Sequence, residues 1–62
     1  MTIGKQLKAE RLRKNLTQDA LKTKAGISLD TLRRIECDRF KNPSHFVITA
    51  LEKALDFKFN IA

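Results

Sequence analysis

Apolar residues keep helical spacing along most of this chain and change to strict alternation after Leu55. Ile3, Leu7 and Leu12 supply the apolar side of a first helix over Thr2 to Lys14, with Thr2 as its cap. Arg13 and Lys14 place positive charge in its last turn, and Asn15 can take the left-handed conformation that ends a helix. A second helix starts at Thr17, carries Asp19 in its positive first turn, turns Ala20 and Leu21 inward and stops at Gly26. Ile27 plugs the turn. Ser28 caps a third helix, with Asp30 in its first turn and Leu32 and Ile35, three apart, as its buried edge. Asp38 to Pro43 reads as a polar loop around Phe40, and Pro43-Ser44 opens a fourth helix through Val47, Ile48, Leu51, Ala54 and Leu55. Phe57, Phe59 and Ile61 then alternate with Lys58 and Asn60, which is strand spacing. The expected fold is all-α: one compact four-helix domain over 1–62, with a short C-terminal β-strand at 56–62.

The length of 62 residues allows one small core, contributing roughly 3–5 kcal/mol. Cys37 is the single cysteine, so no disulfide assists, and one Cys with one His cannot fill a four-ligand metal site. Oligomerisation is the remaining common source of extra stability, which makes a homodimer the expectation. The formal charge is +6, from 13 Lys and Arg against 7 acidic residues, a balance that favours a polyanionic partner. No apolar run reaches membrane-spanning length, and Lys5 and Lys8 interrupt any signal-peptide core, so a cytoplasmic location with no membrane partner is expected.

The segment 17–36 is the most informative. It reads as two short helices joined at Gly26, the second of which can lie in the major groove of double-stranded DNA. With Leu32 and Ile35 turned to the core, Asp30, Arg33, Arg34 and Cys37 fall on the far side and Leu29 at its margin. An arginine can bind guanine O6 and N7 with two hydrogen bonds. Asp30 can accept from a cytosine amino group or orient Arg34 one turn later, and Leu29 can touch a thymine methyl. The amides opening the second helix, with Thr17 and Gln18, form a candidate phosphate anchor, and Arg39, Lys41 and Asn42 can grip the flanking backbone. Ser28 and Thr31 complete the candidate DNA-binding set. Arg11 and Glu36 form a candidate ion pair that would fix how the first helix crosses the third.

With these residues in place the chain resembles the Xre/Cro family of lambda-repressor-like helix-turn-helix proteins. The resemblance rests on Thr17-Gln18, Leu21, Gly26-Ile27-Ser28, Leu32 and Ile35-Glu36, with Leu7 and Arg11 upstream and Asn42-Pro43-Ser44 through Leu55 downstream. It implies a lambda-repressor-like domain that binds operator DNA, usually as a dimer on a palindrome. It also implies that Gln18, Ser28, Leu29, Asp30, Arg33 and Arg34 stand at positions used against DNA. Lys22 occupies the place of a customary small residue, Cys37-Asp38 replaces Asn-Gly, and the alternating tail stands where a fifth helix is customary.

The tail itself is similar to the C-terminal strand of HipB-type antitoxins, which pair two such tails into a small sheet. Pairing would cover an exposed strand edge, so Phe57, Phe59 and Ile61, with Phe46, are the candidate dimerisation residues. The expected function is a sequence-specific transcriptional regulator, a repressor on a palindromic operator. The alternative is an antitoxin-like subunit whose main role is to hold a partner toxin protein. No catalytic triad, phosphate loop or paired carboxylates point to an enzyme, and no cofactor is implied.

Overall fold

The computed structural model describes residues 2–39 and 43–60. Its elements are α1 (Ile3–Arg13), α2 (Gln18–Ala25), α3 (Leu29–Glu36) and α4 (His45–Leu55). Each helix opens on a hydroxyl cap. Thr2, Thr17, Ser28 and Ser44 hold extended backbone, and their side-chain oxygens accept from the amides of Lys5, Ala20, Thr31 and Val47. Each cap satisfies an amide that its own helix leaves unpaired. The helix ends are as specific: Asn15 after α1, Gly26 after α2, Asp38 after α3 and Asp56 after α4 all have positive φ.

The helix α3 packs against α1 and α2, and α4 packs against α2. One core results: Leu7 from α1, Leu21 from α2, Leu32 and Ile35 from α3, and Ile48, Leu51, Ala54 and Leu55 from α4, with Phe59 of the tail inserted among them. Ile3, Leu16, Ala25, Ile27, Val47 and Phe57 border it.

Some inward residues differ from the sequence reading. Leu12 is 55% exposed. It lies about 140° around the helix from Leu7, whereas Arg11 lies about 40° away, and at 100° per residue the buried stripe follows Arg11. Ala20 is exposed as well, leaving Leu21 the buried residue of α2.

The tail is the larger correction. Residues 57–60 form no strand, so the described part of 56–62 does not support a C-terminal β-strand. Asp56 turns the chain in a left-handed conformation, φ 50°, and the Phe57 amide donates back to the Glu52 carbonyl. The Phe59 amide donates to Glu52 Oε2 at 2.9 Å. Gln6 of α1 holds Asn60 from both sides: Gln6 Nε2 donates to the Asn60 carbonyl at 3.0 Å, and the Asn60 amide donates to Gln6 Oε1 at 2.8 Å. A side-chain amide thus supplies the donor and acceptor that a neighbouring strand would otherwise bring. Phe59 is buried in the core and Phe57 is half-buried, their rings meeting edge to face at 5.3 Å. Phe59 is thus taken up by the core, Phe57 keeps part of its surface open, and Ile61 lies outside the described residues.

Candidate nucleic-acid interface

The relation between α2 and α3 is fixed by the three residues between them. Gly26 has φ 73°, and its amide and that of Ile27 both donate to the Lys22 carbonyl, at 2.9 and 3.1 Å. A Cβ at Gly26 would meet nothing within 4 Å, so the position asks for glycine through its dihedral angle and not through space. Ile27 is half-buried against the core. Ser28 then starts α3, its hydroxyl accepting from the Thr31 amide and donating to Thr31 Oγ1 at 2.8 Å. Lys22, the side chain after Leu21, is half-buried with its ammonium 3.9 Å from Asp19. Its stem covers the helix while its charge stays at the rim.

From this start α3 buries Leu32 and Ile35 completely and turns Asp30, Arg33 and Arg34 outward, with Leu29 and Thr31 half-exposed beside them. The two arginines differ. Arg34 Nε lies 3.0 Å from Asp30 Oδ2, an exposed pair one turn apart that sets the direction of the guanidinium. No described residue bonds to the Arg33 side chain, which projects from the same face with its guanidinium donors unused. A free guanidinium fork on an exposed helix face can bind a guanine edge or a phosphate bidentately.

Behind this face the helix is locked at its C-terminal end. Arg11 donates from Nε and Nη2 to the two oxygens of Glu36, at 2.8 and 3.2 Å, and from Nη1 to the Leu16 carbonyl at 2.7 Å. Both side chains are nearly buried, at 10% and 4% exposure. One guanidinium therefore ties α1, the α1–α2 connection and α3 together. The chain closes α3 with the Asp38 amide donating to the Ile35 carbonyl and the Arg39 amide to that of Arg34, and the Arg39 side chain is exposed. Lys41 and Asn42 lie outside the described residues.

Gln18 is placed differently from the expectation. It is half-buried, and its Nε2 donates to Glu36 Oε1 at 3.2 Å. The amide joins the buried ion pair instead of pointing freely to solvent. Thr17 remains exposed as a cap, and the first amides of α2, which have no acceptor within their helix, still face the same end of the motif.

Gly4 contributes to this geometry without any signal in the apolar pattern. A Cβ built on it would collide with the Ile35 carbonyl oxygen and sit 2.6 Å from Asp38 Oδ1. The absence of a side chain lets α1 lie directly on the end of α3. A glycine in the first turn of a well-capped helix was the available clue. Cys37 is exposed at the C-cap of α3.

No helix among the described residues is long and apolar enough to cross a membrane. Comparison with curated proteins and with solved structures gives no significant match. A family model described as helix-turn-helix matches residues 7–60, from the first buried leucine of α1 to the Gln6-bound end of the tail. The chain belongs to the Xre/lambda-repressor-like helix-turn-helix family, a family of DNA-binding domains.

Proposed function

We propose that this protein is a sequence-specific DNA-binding transcriptional regulator that occupies a palindromic operator as a repressor. The observation that carries the reading is α3. It is a short helix sealed to the core along Leu32 and Ile35, locked behind by Arg11–Glu36, and bearing Arg33 and the Asp30-oriented Arg34 on its open side. Such a helix enters the major groove as a rigid unit. In this reading Arg33 and Arg34 read guanine edges, Leu29 meets a thymine methyl, and Ser28 and Thr31 contact the groove at the helix start. The open amides of α2 with Thr17, and Arg39 with Lys41 and Asn42, hold the flanking phosphates, while Gln18, bound to Glu36, braces α2 against the end of α3. Two copies on a palindrome would engage half-sites about one helical turn apart, roughly 34 Å. The role is binding in the cytoplasm and involves no catalysis or cofactor.

Selection from a random duplex pool, followed by anisotropy titration of the selected and a scrambled duplex at two salt concentrations, tests this. The reading expects a symmetric selected sequence and a preference of at least roughly a thousandfold over the scrambled duplex. It also expects affinity that falls steeply with salt. Equal affinity for both duplexes would defeat it. Arg33→Ala should cost roughly 1–3 kcal/mol on the selected duplex and relax the preference at one base pair. A loss of equal size on every duplex would place Arg33 on phosphate.

A further inference from the structure

The described residue that departs most from ordinary burial is Phe46. It is 75% exposed on α4, and its ring borders an open groove of about 440 Å³. Ala25, Ala50 and Ala54 line it too, small side chains from the end of α2 and from the middle and last turn of α4 that leave room between the helices. The charged residues lining it are Lys24 and Lys53, and no carboxylate among the described residues pairs with either ammonium. Glu52 and Asp56 line a separate depression that shares Thr49 and Lys53 with this one, and Glu52 already accepts the Phe59 amide. An apolar trough with an aromatic rim and two unpaired cations is chemically one-sided: it rewards apolar groups at its centre and carboxylates at its edge.

We infer that this groove is a docking site for an acidic amphipathic segment of a partner protein, whose apolar side chains lie on Phe46 and the lining alanines while its carboxylates meet Lys24 and Lys53. The site is independent of the arginine face of α3, and the inference does not rest on the DNA reading. A second copy of the chain fits less well. A two-fold contact of the groove with itself would add the second copy's Lys24 and Lys53 to a rim that already holds two unpaired ammonium groups, and among the described residues the groove's own lining contains no carboxylate to offset them. Nucleic acid fits less well too, since a phosphate backbone gains nothing from an exposed phenylalanine over alanines.

The probe is a synthetic helical peptide with leucine and phenylalanine on one face and glutamates beside them, with a glutamine copy and a lysine copy of the same apolar face. Titrated against the intact chain and followed by amide chemical shifts, the acidic peptide should bind saturably, with changes centred on Phe46, Ala50 and Lys53. The glutamine copy should bind roughly fivefold more weakly, the effect of removing two exposed ion pairs. Phe46→Ser, an exposed substitution that leaves the core untouched, should abolish binding. The combined Lys24→Glu and Lys53→Glu variant should exchange preferences and favour the lysine copy. Equal binding of all three peptides, no saturable binding of the acidic one, or shifts elsewhere on the surface would overturn the proposal. A concentration-dependent dimer in sedimentation that Phe46→Ser removes would assign the groove to a second copy instead. A fall in duplex affinity on Phe46→Ser would assign it to DNA. Unchanged duplex affinity beside lost peptide binding is the expected pair of results.

Discussion

Two glycines in this chain are needed for opposite reasons, and the difference predicts opposite behaviour on substitution. At Gly26 a methyl has space but the backbone, at φ 73°, does not suit an L side chain. Gly26→Ala should cost about 1–2 kcal/mol, the steric cost of the left-handed region, with the packing intact. At Gly4 the backbone is ordinary helix but a methyl has no space, because the Ile35 carbonyl stands where it would go. Gly4→Ala should lower stability by roughly 1–3 kcal/mol through overpacking, and should move α1 away from the end of α3. Urea unfolding measures both costs. Amide shifts of Ile35 and Asp38 should change with Gly4→Ala and stay in place with Gly26→Ala, and the reverse pattern would contradict this account of the contact. A similar contrast separates the ion pairs. Glu36→Ala strands a nearly buried guanidinium and should cost about 3–5 kcal/mol. Asp30→Ala breaks an exposed pair and should cost no more than about 1 kcal/mol of stability.

At the scale of elements all four helix starts were legible, as were the ends of α1 and α2, while the left-handed ends at Asp38 and Asp56 were not singled out by the pattern. Thr2, Thr17, Ser28 and Ser44 cap as their residue types suggest, and Asn15, Gly26 and Asp38 end helices in the left-handed region. The tail was not legible in the same way. Alternation puts Phe57 and Phe59 on a common side, where their rings do meet, but period two says nothing about what lies against that side. The answer comes from two polar side chains far away in sequence, Gln6 and Glu52, whose positions are unremarkable in the pattern. The same limit applies to Gln18, which reads as a free phosphate ligand until Glu36 is found within reach. The tail correction changes what removing the tail should do. Phe59 fills the core beside Leu51 and Leu55. Phe59→Ala should cost about 3–5 kcal/mol, and deletion from Phe57 onward should unfold the domain. Deletion that leaves a folded chain with the urea midpoint of the full sequence would show that the tail is not part of the core.

For the molecule as a whole, the candidate reading face and the scaffold that carries it are built from different residues, so their contributions can be separated experimentally. Leu32, Ile35 and the Arg11–Glu36 pair hold α3 in place, while the exposed Arg33 side chain pairs with no described residue. A duplex that binds only the folded chain stabilises it by the linkage relation, about 2.7 kcal/mol at a hundredfold excess over the dissociation constant. A domain with one small core should register that gain plainly as a rise in melting temperature. Arg33→Ala should leave the melting temperature of the free protein unchanged, because an exposed side chain without a protein partner contributes little to folding. It should nevertheless reduce the rise that the selected duplex confers, since the lost contact is to the ligand. Glu36→Ala should show the converse first: little or no cooperative transition without DNA, because its cost approaches the stability of the whole core, and a transition regained only at a large excess of duplex. Thermal melts of the three proteins with and without the selected duplex therefore distinguish a residue that reads from a residue that positions. If Arg33→Ala destabilised the free protein as much as Glu36→Ala does, α3 would not be divided into a packed side and a reading side, and the assignment of its arginines to base edges would lose its physical basis.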